Sequence, residues 1–211
     1  MEGEGMKAPV GVILAGGRAT RMGGGDKGLL TLGGQTLLGH VIERTAPQVA
    51  DLCLNANGDA SRFDGFGLPV VADSLPGFPG PLAGVLAGLD WAAAQGADTL
   101  VSVAADTPFL PCDLVPHLLL TAEGQAHPLV LAATEGDTET RSAKGRLIRH
   151  PTFGLWPVAL RDDLRAALEG GLKKVVLWTE RHGGREAVFP DERAFFNVNT
   201  PDDLAQAEAM L

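Results

Sequence analysis

The chain has 211 residues, 45% hydrophobic and 20% charged, which is enough apolar content for one substantial globular core. Its formal net charge of −9 speaks against a nucleic-acid binder, whose contact face is usually basic, but leaves small anionic substrates open where cations cluster locally. No apolar run approaches the ~20 residues of a membrane span, and Met1 to Gly5 lacks the basic and apolar stretches of a secretory signal, so neither nucleic acid nor membrane is an expected partner and a cytoplasmic location is expected.

In chain order, the apolar run Val10–Leu14 predicts a first strand. It opens into Leu-Ala-Gly-Gly-Arg-Ala-Thr-Arg-Met-Gly-Gly-Gly-Asp-Lys-Gly over residues 14–28. Glycines let the backbone approach an anion closely, successive N–H groups can form an anion nest, and Arg18, Arg21 and Lys27 add charge. The segment therefore suits a nucleotide triphosphate. It is not a P-loop, because Lys27 follows Asp26 and precedes Gly28 where a Gly-Lys-Ser/Thr triplet is required. The formal G-x-G-x-x-G at Gly23, Gly25 and Gly28 stands too far behind the strand for a dinucleotide fold.

Further along, a helix is predicted over 37–49, with Leu38, Val41, Ile42 and Thr45 on one face. Strands are predicted over 51–56 and 68–71. A helix over 81–95 follows, with Pro81 at its first position. A strand over 99–104, a helix over 111–120 and an apolar run over 129–133 complete the first half. This alternation predicts an α/β, Rossmann-like fold: a mostly parallel central sheet with helices on both faces. The second half is less regular. Residues 134–149 read as a polar loop or ribbon, with Arg141, Lys144, Arg146 and Arg149 as a basic cluster. Residues 152–158 read as a strand, 159–168 as a helix closed by Gly170-Gly171, and 172–182 as a helix or strand. Thr200, Pro201, Asp202 and Asp203 start a last helix towards Leu211. A single domain over 1–211 is expected, about 9–110 forming a nucleotide-binding half and about 111–211 an acceptor half. Cys53, Cys112 and the scattered histidines make neither a disulfide framework nor a zinc site.

Ligands of open parallel sheets bind outside the carboxyl ends of the strands. Here those ends deliver the glycine loop, Asn55 and Asn57, Asp73, and Asp106 to one edge. Each has a plainer alternative: a turn cap for Asp106 before Pro108, backbone satisfaction for the asparagines, a solvated loop for Lys27. Taken together they fit triphosphate chemistry, which is mostly positioning and charge neutralisation. Such chemistry wants Mg²⁺ on one or two carboxylates, with Asp106 the candidate ligand and Lys27 a point charge on the phosphates.

Leu-Ala-Gly-Gly-x-x-x-Arg-Met-Gly-Gly-x-Asp-Lys at 14–27 resembles the signature of molybdenum cofactor guanylyltransferases. Matches continue in order through Asn55-Ala56-Asn57, Asp73-Ser74, Gly80-Pro81-Leu82-Ala83-Gly84, Asp106-Thr107-Pro108, His150-Pro151-Thr152 and Asn197-Val198-Asn199-Thr200-Pro201. The resemblance implies transfer of GMP from Mg-GTP to the terminal phosphate of molybdopterin, with pyrophosphate released. It further implies that Leu14, Ala15, Gly16, Asn55, Asp73, Gly80 and Gly84 line the nucleotide site. Lys27, Arg21 and Asp106 would be catalytic, and Asp106 would also bind the metal. Asn197, Asn199, Arg146 and His150 would stand on the acceptor side, and transient contact with other molybdenum cofactor proteins is implied. Residues 134–149 are longer and more basic than that pattern. The loop itself does not choose a base, so a nucleotidyltransferase using CTP or a sugar phosphate, and a nucleotide-binding adaptor without turnover, stay open.

Overall fold

A computed structural model describes residues 7–16, 26–75, 77, 80–136, 147–172 and 174–211. Its seven-stranded main sheet is built from β1 (Val10–Leu14), β4 (Leu52–Asn55), β5 (Val70–Val71), β6 (Thr99–Ala104), β7 (Val130–Glu135), β8 (Leu147–Pro157) and β9 (Arg185–Phe189), in the order β5-β4-β1-β6-β8-β7-β9. β4, β1 and β6 are buried at nearly every position, as strands covered on both faces must be, and their apolar runs are correspondingly continuous. β5, β4, β1 and β6 pair in parallel; β8 pairs antiparallel with both β6 and β7, and β9 pairs parallel with β7. Only β8 runs against the rest. Its N-terminal end therefore reaches the edge where the other strands have their carboxyl ends.

The two faces carry separate cores. Ile13, Leu54, Val101 and Val103 pack with α1 (Leu37–Thr45) and α3 (Leu114–Ala122). Val12, Cys53 and Leu100 pack with α2 (Pro81–Ala94), α4 (Arg161–Glu169) and α5 (Val175–Arg181). Neighbouring residues of β1, Val12 and Ile13, thus serve opposite layers, as the period of two requires. Burial pushes the Cys53 thiol up to about 12, which keeps it an uncharged core residue. No described helix is long and apolar enough to cross a membrane.

Four elements differ from the sequence expectation. The helix expected to reach Val49 ends at Thr45, and Pro47 lies in a 3-10 turn over Ala46–Gln48, since proline cannot donate to the helical ladder. A small hairpin, β2 (Thr31–Leu32) and β3 (Gln35–Thr36), turns through Gly33 and Gly34 at φ 59° and 85°, a two-glycine turn whose twist matches paired strands. Residues Leu147–Arg149 are not loop but the start of β8, paired with Glu135, Thr134 and Ala133 of β7. The stretch Arg185–Phe189 is an unforeseen strand, half exposed at the sheet edge. The last helix, α6 (Pro201–Glu208), starts on a capping box between Thr200 and Asp203 and packs on the hairpin through Leu32, Leu37 and Ala207.

Helix α2 lies close on the sheet because two glycines one turn apart face it. A Cβ on Gly88 would stand 2.8 Å from Val12 Cγ1, and one on Gly84 would stand 2.8 Å from Leu14 Cδ2 and collide with the Asn55 amide. Gly84→Ala is therefore expected to destabilise the protein by about 1–3 kcal/mol through overpacking, only partly offset by alanine's better helix propensity. Thermal or urea unfolding checks this, and an unchanged midpoint contradicts it.

Candidate active site

Chain topology creates an opening beside β1. From β1 the chain moves out to β4 and β5, then returns to β6 on the other side, so loops leave the β1–β6 boundary in opposite directions. A cavity of about 480 Å³ lies at this switch point. The parallel ladder continues into its floor, with Ala15 N donating to Asn55 O at 2.8 Å and Ala105 N to Leu14 O at 3.2 Å. Leu14, Ala15, Gly16, Lys27, Asn55, Asp73, Gly80 and Asp106 all line it. Gly80 takes φ 129°, a backbone that disfavours a side chain, and hands over to Pro81 at the start of α2.

Lys27 and Asp106 face one another across this mouth. Lys27 Nζ is 3.6 Å from Asp106 Oδ2, and the side chains are 19% and 23% exposed. Lys27 also donates to Asn199 Oδ1. Asn199 is fixed in turn: its N–H and that of Thr200 donate to Asp203 Oδ2 at 2.9 and 2.8 Å. These hydrogen bonds, the one from the Asn199 N–H foremost, hold the Asp203 carboxyl below its ordinary value. Asn197 accepts from Thr107 Oγ1 at 2.6 Å, and Val198 N donates to Asp106 O at 2.9 Å. The Asn-Val-Asn segment is thereby laced to the strand end that carries Asp106. Burial raises the Asp106 carboxyl above its ordinary value, with Lys27 acting in the opposite direction. A desolvated carboxylate beside one cation suits a divalent metal that brings phosphate oxygens as its further ligands. Among the described residues no group of three or more His, Cys, Asp or Glu side chains could hold a metal alone. A divalent metal at Asp106 would need ligands beyond the described side chains.

At the other end of the cavity Asp73 is bracketed by two amides. Asn55 Nδ2 donates to Oδ1 at 2.9 Å and Asn57 Nδ2 to Oδ2 at 2.7 Å, while Asp73 N donates to Asn57 Oδ1 at 2.9 Å. Ser74 Oγ donates to Asp90 of α2 at 2.5 Å, and Arg165 of α4 donates to both Asp90 oxygens at 2.7 Å. The loop after β5 is thus pinned on both sides of the cavity wall.

Other expected residues fall elsewhere. Gly84 does not line the cavity; it is buried under Asn55 and Leu14 and sets the depth of α2. Arg21 and Arg146 lie outside the described residues, as do Arg18, Arg141 and Lys144. Arg149, the member of the basic cluster that is described, sits on β8 and pairs with Glu186 at 2.8 Å. His150 is absent from the cavity wall: it stacks on Phe195 with ring centres 4.2 Å apart and meets Thr134 Oγ1 at 3.0 Å. Thr152, two residues on, reaches the wall because β8 is reversed, a direction that sequence periodicity does not encode.

Burial pushes the His150 imidazole down from 6.5 to about 4. The unfolded chain then binds the proton more readily than the folded one between those values. Stability should be full above pH 6.5 and fall as pH drops towards 4, by up to ~3 kcal/mol from this residue. His150→Phe should flatten that slope in urea melts; an NMR titration of His150 near 6.5 would contradict the assignment.

The profile of the MobA-like NTP transferase domain matches residues 11–183. A molybdenum cofactor guanylyltransferase of Cereibacter sphaeroides is 52% identical over 201 residues, spanning 95% of this chain and 96% of that protein. One from a Bradyrhizobium species is 50% identical over 205 residues, spanning 95% and 92%. Among solved structures, molybdopterin-guanine dinucleotide biosynthesis protein A of Archaeoglobus fulgidus superposes with a TM-score of 0.68 at 24% identity, over 95% of this chain and 97% of that one. CMP:2-keto-3-deoxy-manno-octonic acid synthetase complexed with CTP superposes with a TM-score of 0.73 at 17% identity, over 97% and 98%. These superpositions establish a common nucleotidyltransferase fold. With half its residues shared with guanylyltransferases along nearly its whole length, the chain belongs to the MobA-like NTP transferase family.

Proposed function

We propose that this protein transfers GMP from Mg-GTP to the terminal phosphate of molybdenum-loaded molybdopterin, yielding the guanine dinucleotide cofactor and pyrophosphate. The observation that carries the reading is the meeting of Lys27 and Asp106 at one cavity on the switch point of the sheet. The acceptor phosphate oxygen attacks the α-phosphorus of GTP, and the bond from that phosphorus to the oxygen bridging to the β-phosphate breaks. Bound Mg²⁺ would neutralise triphosphate charge, with Asp106 as its protein ligand. Lys27, held by Asn199, presents a fixed cation to the phosphates without reorganisation. The backbone of Leu14, Ala15 and Gly16 supplies a wall without bulky charge, and Asp73, oriented by Asn55 and Asn57, supplies fixed acceptors at the far end. Asn197 and Asn199 come from the second half of the chain, are tied to Thr107 and Lys27, and are assigned to the acceptor side on that ground. Guanine as the base is supported by the near relatives' names, and a cytoplasmic enzyme in transient contact with other molybdenum cofactor proteins accords with that role.

Incubation with each Mg-NTP and molybdopterin, followed by measurement of pyrophosphate, tests this. Release with GTP and with no other nucleotide is expected. Equal activity with CTP overturns the base assignment, and nucleotide binding without product favours an adaptor.

A further inference from the structure

Arg62 stands outside the cavity wall, in the 3-10 turn Ala60–Phe66 between β4 and β5, yet its guanidinium touches both ends of the site's framework. Nη2 donates to Asn57 O at 2.7 Å and Nη1 to Asp59 O at 2.8 Å. Nε lies 2.6 Å from Asp26 Oδ2 as an ion pair; it makes no directed hydrogen bond there. The side chains of Arg62 and Asp26 are 28% and 16% exposed, so this pair is substantially shielded from solvent. Asp26 immediately precedes Lys27. Asn57 is the residue whose side chain orients Asp73.

We infer that Arg62 is a positioning residue of the nucleotide site, one that locks the lysine end to the Asp73 end and neutralises Asp26 beside the bound triphosphate. The inference rests on the nucleotide reading above. Two physical effects follow from the geometry. The two Nη groups of one planar guanidinium fix the Asn57 and Asp59 carbonyls by directed hydrogen bonds, a geometry an ammonium matches poorly, while its charge holds the Asp26 carboxylate against them. An unpaired carboxylate next to Lys27 would repel phosphate oxygens and compete for the lysine, and Arg62 removes that charge. A surface arginine that merely pins a loop would do the first and not the second.

The test is Mg-GTP binding by calorimetry, with thermal melting alongside, on the wild type, Arg62→Met, Arg62→Lys and the double variant R62M/D26N. Arg62→Met is expected to weaken Mg-GTP binding by about tenfold or more, the scale of a charge-assisted hydrogen bond. Removing the Asp26 charge as well should recover part of that loss, because the repulsion goes with it. Arg62→Lys should fall between wild type and Arg62→Met, and it decides the matter should Arg62→Met fail to fold. Folded variants that bind Mg-GTP as the wild type does, or a double variant no better than Arg62→Met, overturn the inference alone. A wild type that binds no Mg-NTP removes the nucleotide reading and takes this inference with it.

Discussion

Lys27→Ala is expected to lower kcat/KM for GMP transfer on the order of 30- to 1000-fold, a loss of about 2–4 kcal/mol of transition-state stabilisation. The size follows from preorganisation. Lys27 is not a flexible surface lysine: Asn199 and Asp106 already hold its ammonium, and Asn199 is itself tied by Asp203. The cost of ordering it is met on folding and not during the reaction. Charge that grows on the phosphates as the bond to pyrophosphate stretches then meets a cation already in place. Water admitted by alanine would have to reorganise to do the same. Lys27→Arg separates charge from shape. It keeps the positive charge but replaces a compact point charge with a broad fork, so recovery should be partial. The melting midpoint of Lys27→Ala should fall, since the pair with Asp106 is largely shielded from solvent and its loss leaves that desolvated carboxylate without a cation; the loss of kcat/KM is therefore read at a temperature well below the variant's midpoint. A kcat/KM equal to wild type would remove Lys27 from the mechanism.

Much of this site was legible in the chain because it sits on the elements that were most legible. β1, β4 and β6 are buried on both faces, so their apolar runs are unbroken and their ends fall within a residue or two of expectation. The rule for ligands at the carboxyl edge then brings Lys27, Asn55, Asp73 and Asp106 together, and all four line one cavity. The reversed β8 was not legible, because hydrophobic pattern carries no strand direction. β9 was hidden for another reason: Arg185, Glu186 and Val188 lie at least partly open to solvent on an edge, and pairing with β7 makes the strand where composition does not. The Gly33-Gly34 hairpin did carry a turn signal, but its strands are only two residues each. Arg62 carried no signal at all. It joins Asp26 and Asn57 only after β4 has been laid beside β1, and a lone arginine in a loop gives no hint of its partners.

Asp106→Asn is expected to reduce turnover by at least ~100-fold and to abolish the response to added magnesium, because a metal Lewis acid is worth several kcal/mol of charge stabilisation. Its effect on stability should run the other way. Burial disfavours the Asp106 carboxylate, which is why its pKa lies above the ordinary value. An Asp whose folded pKa is raised costs stability at neutral pH, and a neutral amide of the same size removes that cost. The backbone link from Val198 N to Asp106 O is indifferent to the substitution, so the Asn197–Asn199 segment stays in place. Asp106→Asn should therefore melt at or slightly above the wild-type temperature while losing its chemistry. That opposition distinguishes a carboxylate kept for a metal from one kept to cap the turn before Pro108, whose loss would lower the melting point and spare the magnesium titration. An unchanged magnesium titration in a folded Asp106→Asn protein would move the metal ligand elsewhere in the chain.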